Sequence, residues 1–183
     1  MKDAFLTLGR GVGQVMFQNN ALSGVLMLAG ILLNSWQMAL LAIAGNVVST
    51  LTACLSGYSR EDIRNGLYGF NGTLVGIAIG VFMPVSVASF SLLGACLSAW
   101  IARLFSLQRR VPGFTAPFIL SVWILLAACR GMMPSLLLPS GNAVTAQSLS
   151  FLQAFCLNIG QVMFQGNTVL AGVLFLLGIM VNS

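Results

Sequence analysis

Gln14, Phe17 and Asn20 bring two amide side chains and an aromatic ring together at spacings of three, and the same set returns as Gln161, Phe164 and Asn167. Amides exchange hydrogen bonds with a small polar solute without setting a charge beside it, and a phenyl ring offers a flat apolar face. On a helix, spacings of three would bring the trio near one face. The same residues admit a second reading, because Gln and Asn also join membrane helices to one another. The recurrence favours the first reading. Gly13-Gln14-Val15-Met16-Phe17-Gln18 reappears whole as Gly160-Gln161-Val162-Met163-Phe164-Gln165. The match runs on from Gly24-Val25-Leu26 against Gly172-Val173-Leu174 to Asn34-Ser35 against Asn182-Ser183, with one extra residue in the second copy.

Two further stretches hold residues of interest. In Phe70-Asn71-Gly72-Thr73-Leu74-Val75-Gly76, Phe70 and Leu74 share a helical face, while Gly72, Gly76 and Gly80 recur every four residues and would let another backbone come close. Asn71 beside a glycine could equally mark a break in the helix. In Val111-Pro112-Gly113-Phe114-Thr115-Ala116-Pro117-Phe118, two prolines five apart suggest a broken start to a span. Carbonyls freed at such a break need internal partners or a water-filled path, which Thr115 is placed to face. A plain loop-to-helix junction with proline in the first turn would look the same.

These residues sit in a chain that is 58% hydrophobic and only 6% charged. Soluble domains carry about 25% charged residues, so the elements that position the candidates are membrane-embedded. At ~20 residues per span, the length allows about five to seven. The chain has no histidine, and its only acids, Asp3, Glu61 and Asp62, lie beside basic residues in polar stretches. Proton relays and many ion-coupled carriers use intramembrane acids or histidines. Passive movement of a neutral solute fits this chain better. Cys54, Cys96, Cys129 and Cys156 lie in apolar stretches with no Cys-x-x-Cys pair, and read as small buried thiols. Neither a metal site, a cofactor, a nucleic-acid partner nor a catalytic constellation is expected. The start of the chain lacks the apolar core of a cleavable signal.

After a polar-edged lead-in over 1–20, apolar runs cover 21–33, 36–56, 67–83, 85–105 and 114–129, and 131–150 reads as a loop. Of these five spans, 21–33 and 67–83 are short or interrupted, and one could be re-entrant. Lys2, Arg10, Arg60, Arg64, Arg103, Arg109 and Arg110 fall on one side if the segments cross, which the positive-inside rule makes cytoplasmic, with the N-terminus. An odd number of spans sends the second copy in from the opposite face, as an inverted repeat. The expected architecture is therefore an all-α polytopic membrane protein of the cell (inner) membrane. Residues 1–150 form a first transmembrane repeat and 151–183 the truncated beginning of a second, inverted one.

The chain resembles the urea transporters. That family's Gln/Glu-Val-x-Phe-x-x-Asn element matches Gln14 to Asn20 and Gln161 to Asn167. Its Asn-Gly-x-Leu-Val-Gly element matches Asn71 to Gly76, and its Leu-Pro-x-x-Thr-x-Pro-Phe signature matches Val111 to Phe118 with Val in place of Leu. The resemblance implies two inverted halves, each of five spanning helices plus a tilted half-membrane helix. It implies a homotrimer with one pore per protomer, and urea moving down its gradient past aromatic slots and a ladder of oxygens. By residue match, Gln14, Val15, Phe17, Phe70 and Leu74 would line one constriction, Gln161, Val162 and Phe164 would contribute to the other, and Thr115 would sit at the midpoint. Asn20 and Asn167 complete the repeated filter element.

Three departures stand out. The family often has Glu where this chain has Gln161, Val111 replaces Leu, and no second Asn-Gly-x-Leu-Val-Gly or Thr-x-Pro-Phe occurs before Ser183. Little selective flux is expected of these 183 residues by themselves. Alternatives are a channel for another small neutral solute, such as a short amide or ammonia, or a non-conducting membrane assembly subunit. The paired histidines of an ammonium channel and the Asn-Pro-Ala turns of an aquaporin are both lacking.

Overall fold

The computed structural model describes residues 2–84, 86, 89–108, 110–138 and 148–181. Arg109, Pro139, Gly141, Asn182 and Ser183 lie outside the described residues. The described elements, in chain order, are α1 (Lys2–Gly13), α2 (Ala21–Asn34), α3 (Trp36–Leu55), α4 (Arg60–Arg64), α5 (Gly69–Phe82), α6 (Ser89–Gln108), α7 (Ala116–Met132), α8 (Phe151–Gln161) and α9 (Val169–Met180), with 3-10 turns at Gln14–Met16 and Pro134–Leu136. Among the described residues all regular structure is helical.

Helices α3 and α6, at 20 residues each, are long and apolar enough to cross a bilayer unaided. At 1.5 Å per residue each spans about 30 Å, the thickness of the hydrocarbon layer. The α1 and α2 segments reach that apolar length only as a pair, and the chain bends by 72° between them. The lead-in expected over 1–20 is thus largely helix. Its alternation of apolar and polar residues suits an amphipathic helix, which a reading for apolar runs overlooks. The loop expected over 131–150 begins with the end of α7 and the Pro134–Leu136 turn.

Polar residues set the boundaries. The Asn20 side chain accepts from the Leu22 amide at 2.9 Å and starts α2. Ser35, in extended conformation, ends α2 by donating its N–H to the Ile31 carbonyl and starts α3 by accepting from the Met38 amide. Ser150 and Gln153 form a capping box at the head of α8.

Helix α5 lies at the centre. From Asn71 through Ile79 every residue is buried, which suits a helix apolar on all sides. Its glycine row does what the spacing predicts at two of three positions. A methyl on Gly72 would strike the Gly45 carbonyl of α3, and one on Gly76 would strike the Leu41 carbonyl, whereas Gly80 meets only the side chains of Leu41 and Met38.

Corresponding helices of the two repeats also touch. Gly30 of α2 faces Phe175 of α9, and Gly178 of α9 faces Met27 of α2. Met27 corresponds to Phe175 and Gly30 to Gly178 in the repeat alignment, so the contact is reciprocal. As the residue number rises along α2, that of its partner falls along α9, so the two helices run antiparallel.

Candidate functional site

The repeated string folds the same way twice. In the first copy the Gln18 amide donates to the Gly13 carbonyl at 3.0 Å and the Phe17 amide to the Gln14 carbonyl at 2.9 Å. In the second, the Gln165 amide donates to Gly160 at 2.9 Å and the Phe164 amide to Gln161 at 3.0 Å. This pairing is a Schellman turn, which needs one residue in the left-handed region and usually takes glycine there. Here that residue is Phe17, with φ 58°, and Phe164, with φ 58°. A bulky side chain in that region costs roughly 1–2 kcal/mol. The third non-glycine residue with positive φ among the described residues is Phe114, at φ 40°.

This geometry corrects the helical-face reading. Gln14, Phe17 and Asn20 do not share a face, because the helix stops at Gly13. Gln14 opens a 3-10 turn, Phe17 reverses the backbone and Asn20 is an extended cap.

The left-handed turn projects Phe17 outward, 71% exposed, where its edge meets the ring of Phe114 at 6.0 Å between centroids and 78° between planes. Behind them lies a cavity of about 490 Å³ whose wall includes Gln14, Phe17, Phe70, Asn71, Phe114 and Pro117. The Gln14 amide nitrogen donates to the Asn65 carbonyl at 3.0 Å. That bond orients the side chain and leaves its oxygen as an acceptor. Asp62 shares the wall, so the fold brings to this cavity an acid that the sequence places only in a polar loop.

Asn71 is helical and buried, which excludes a helix break there. Its nitrogen donates to the Phe114 carbonyl at 3.3 Å and its oxygen accepts from the Phe118 amide at 3.0 Å. One side chain thereby clamps both ends of the proline-flanked turn. The Ala116 amide closes that turn onto the Gly113 carbonyl at 2.8 Å, and Pro117 sits in the first turn of α7. Thr115 is half-buried at the start of α7 and its hydroxyl caps nothing there; the cavity wall takes its neighbours Phe114 and Pro117 instead.

Val15 and Leu74 do not line the cavity; both are buried in an apolar cluster that Phe70, Phe118 and Phe164 also pack against. Phe118 meets Phe164 edge-on at 6.5 Å. The proline-flanked element thus grips both repeated phenylalanines, Phe17 through Phe114 and Phe164 through Phe118. Gln161, Val162 and Asn167 are exposed and lie away from this cavity. Asn20 is occupied as a cap. Sequence reasoning does not single out Phe114 and Phe118 for contact with the repeated rings. The two are four apart and flank Pro117, but that signal becomes specific only when the repeated rings arrive from elsewhere in the chain.

Fold and site together define a polytopic helical membrane protein with a largely apolar cavity walled by phenylalanines, into which Gln14, Asn71 and Asp62 bring polar groups. The sequence profile of the urea transporter family matches residues 5–183. Urea transporter 1 of Rattus norvegicus is 33% identical over 192 residues, which cover 95% of this chain and 50% of that protein. Urea transporter 1 of Mus musculus is 33% identical over 200 residues, and that of Ovis aries 32%, with the same coverage. This chain belongs to the urea transporter family. It spans about half the length of the curated relatives it matches.

Proposed function

We propose that the chain supplies one aromatic constriction of a passive, channel-like path for urea. The observation that carries this reading is the strained, left-handed placement of Phe17 and Phe114 at the mouth of a cavity that Gln14 also lines. Two large apolar rings held at a conformational cost, both more than half exposed, gain little for the fold. They gain a purpose if a flat solute passes between them. Urea is planar, neutral and rich in N–H donors. Removing its water costs ~1–3 kcal/mol for each donor left unpaired. The free oxygen of Gln14, in the cavity wall, is an acceptor that carries no charge; Thr115, beside the wall residues Phe114 and Pro117, is assigned to the midpoint by the family match alone. Weak, multiple contacts of this kind also let the solute leave.

In this reading residues 1–150 are a first repeat and 151–183 begin a second that is inverted against it. Gln161, Val162, Phe164 and Asn167 belong to the opposite constriction, and Leu74 and Val15 back the first. The antiparallel, reciprocal packing of α2 on α9 supports the inversion. A homotrimer in the cell (inner) membrane goes with the family, and a cytoplasmic N-terminus with the basic segments that the positive-inside rule assigns to one side.

Stopped-flow light scattering on proteoliposomes tests the proposal. In a pore with both halves present, urea uptake is expected to be fast and saturable. Gln14→Ala should slow it about tenfold, the effect of one lost hydrogen bond near 1.4 kcal/mol. Unchanged uptake in both Gln14→Ala and Phe17→Ala would falsify the assignment. Faster uptake of acetamide or ammonia than of urea would reassign the solute.

A further inference from the structure

Beside the candidate pore mouth, a second cavity of about 300 Å³ is lined by Arg10, Arg60, Glu61, Arg64 and Asn65. Its cations come from two separate elements, Arg10 from the last turn of α1 and the others from α4. The guanidinium of Arg10 donates to the Arg64 carbonyl at 3.2 Å, which fixes it against α4. Among the described residues none of the three guanidiniums is ion-paired with a carboxylate, and Glu61 is the one acid in the wall. The cavity therefore holds an excess of two positive charges in a concave site.

Its depth in the bilayer follows from α3. That helix is long enough to cross the hydrocarbon layer and ends at Leu55, five residues before α4 begins. The arginines thus lie at headgroup level. Exposed apolar residues, Phe5 on α1 and Leu55 on α3, belong to the helices nearby.

We propose that Arg10, Arg60 and Arg64 form a binding site for a phosphate group, supplied by an anionic phospholipid headgroup. Guanidinium forks match phosphate oxygens in geometry as well as charge, and basic pockets between helices at headgroup level bind anionic lipids. The site bears on the pore mouth through Asn65. Its carbonyl accepts from Gln14 and its side-chain oxygen from Asn19 at 3.2 Å, so a residue in the wall of this cavity holds Gln14, which lines the other. The proposal stands whether or not urea is the solute.

Native mass spectrometry of the full chain, released from neutral detergent, tests it with phosphatidylglycerol, phosphatidylcholine and inorganic phosphate as probes. Phosphatidylglycerol adducts are expected to exceed phosphatidylcholine adducts about tenfold. The double variant Arg60→Gln/Arg64→Gln should lose that excess. Arg60→Lys/Arg64→Lys, which keeps the charge without the forks, should retain part of it. Displacement of the lipid by millimolar phosphate would assign the site to the free ion, and resistance would assign it to the lipid; either supports a phosphate site. The proposal fails if Arg60→Gln/Arg64→Gln binds as the parent does. It fails equally if Lys2→Gln/Arg130→Gln, with the same charge loss elsewhere, abolishes the preference as completely.

Discussion

The side-chain nitrogen of Asn34, at the end of α2, donates to the side-chain oxygen of Gln165 at 2.7 Å, joining residues 131 apart in the chain. Gln165 is fully buried, and its own nitrogen donates to the Met163 carbonyl at 2.8 Å. The Asn34 oxygen in turn accepts from the Thr168 hydroxyl. This short polar chain ties the first repeat to the turn that carries Phe164. Either Asn34→Leu or Gln165→Leu leaves a buried polar group unpaired, at about 1–3 kcal/mol. The double variant should lose less than the sum of the two, because the orphan disappears with its partner. Denaturant titration of all four forms in micelles measures the coupling, and strict additivity would show that the bond contributes nothing.

Phe17 presents the opposite balance. It is mostly exposed, yet its backbone is left-handed. Phe17→Gly should therefore leave stability unchanged or raise it by up to about 1 kcal/mol, while removing the ring that narrows the cavity mouth. Phe164 shares the conformation but packs against both large apolar clusters. Phe164→Gly should cost about 3 kcal/mol or more, as large-to-small changes in a core do. Paired melts separate the two cases. An equal, large loss at both positions would mean that Phe17 is a packing residue after all.

How far this site could be read beforehand depended on the kind of signal. The repeated Gln and Phe were legible because identity at a long period survives any error about local structure. Their spacing misled, because a pattern of three assumes a helix that the Schellman turn has already ended. Phe114, Phe118 and Asn71 were within view in recognisable elements, but their parts arise from pairings over 43 to 97 residues, Asn71 with Phe114 and Phe17 with Phe114 among them. Asp62 was visible as an acid, and only tertiary folding brings it to the cavity wall. Helices α2, α3, α5, α6 and α7 followed closely from the apolar runs, whereas the amphipathic α1 did not.

The glycines of α5 permit a graded test. Gly72→Ala drives a methyl into the backbone of α3 and should cost about 1–3 kcal/mol, since two helix backbones cannot easily separate. Gly80→Ala meets flexible side chains and should be milder. Gly131→Ala, in the last turn of α7 with open space around it, should be neutral or stabilising by about 0.5–1 kcal/mol. Thermal melts of the three should fall in that order. A Gly72→Ala protein as stable as the parent would show that α3 and α5 pack less closely than described.

Asn71 offers the sharpest test of the site, because it acts on the cavity without its ring partners being touched. Its two hydrogen bonds, to the Phe114 carbonyl and from the Phe118 amide, hold the left-handed turn between the prolines. Asn71→Leu removes both and leaves a part-buried carbonyl and a part-buried N–H without this partner, at a cost of about 1–3 kcal/mol. Asn71→Asp keeps the acceptor for Phe118 but loses the donor to Phe114, and it buries a charge or a proton besides. If the clamp positions Phe114, both variants should slow urea uptake in a complete pore by more than their loss of folded protein explains. The comparison is made on proteoliposomes with equal amounts of correctly inserted protein, alongside Ser121→Ala. Ser121 lies one turn further along α7, where its hydroxyl donates to the Pro117 carbonyl. That control should melt lower but conduct normally. Asn71 variants that lose stability and yet conduct like Ser121→Ala would reduce the residue to a structural tie and detach the proline-flanked turn from the solute path.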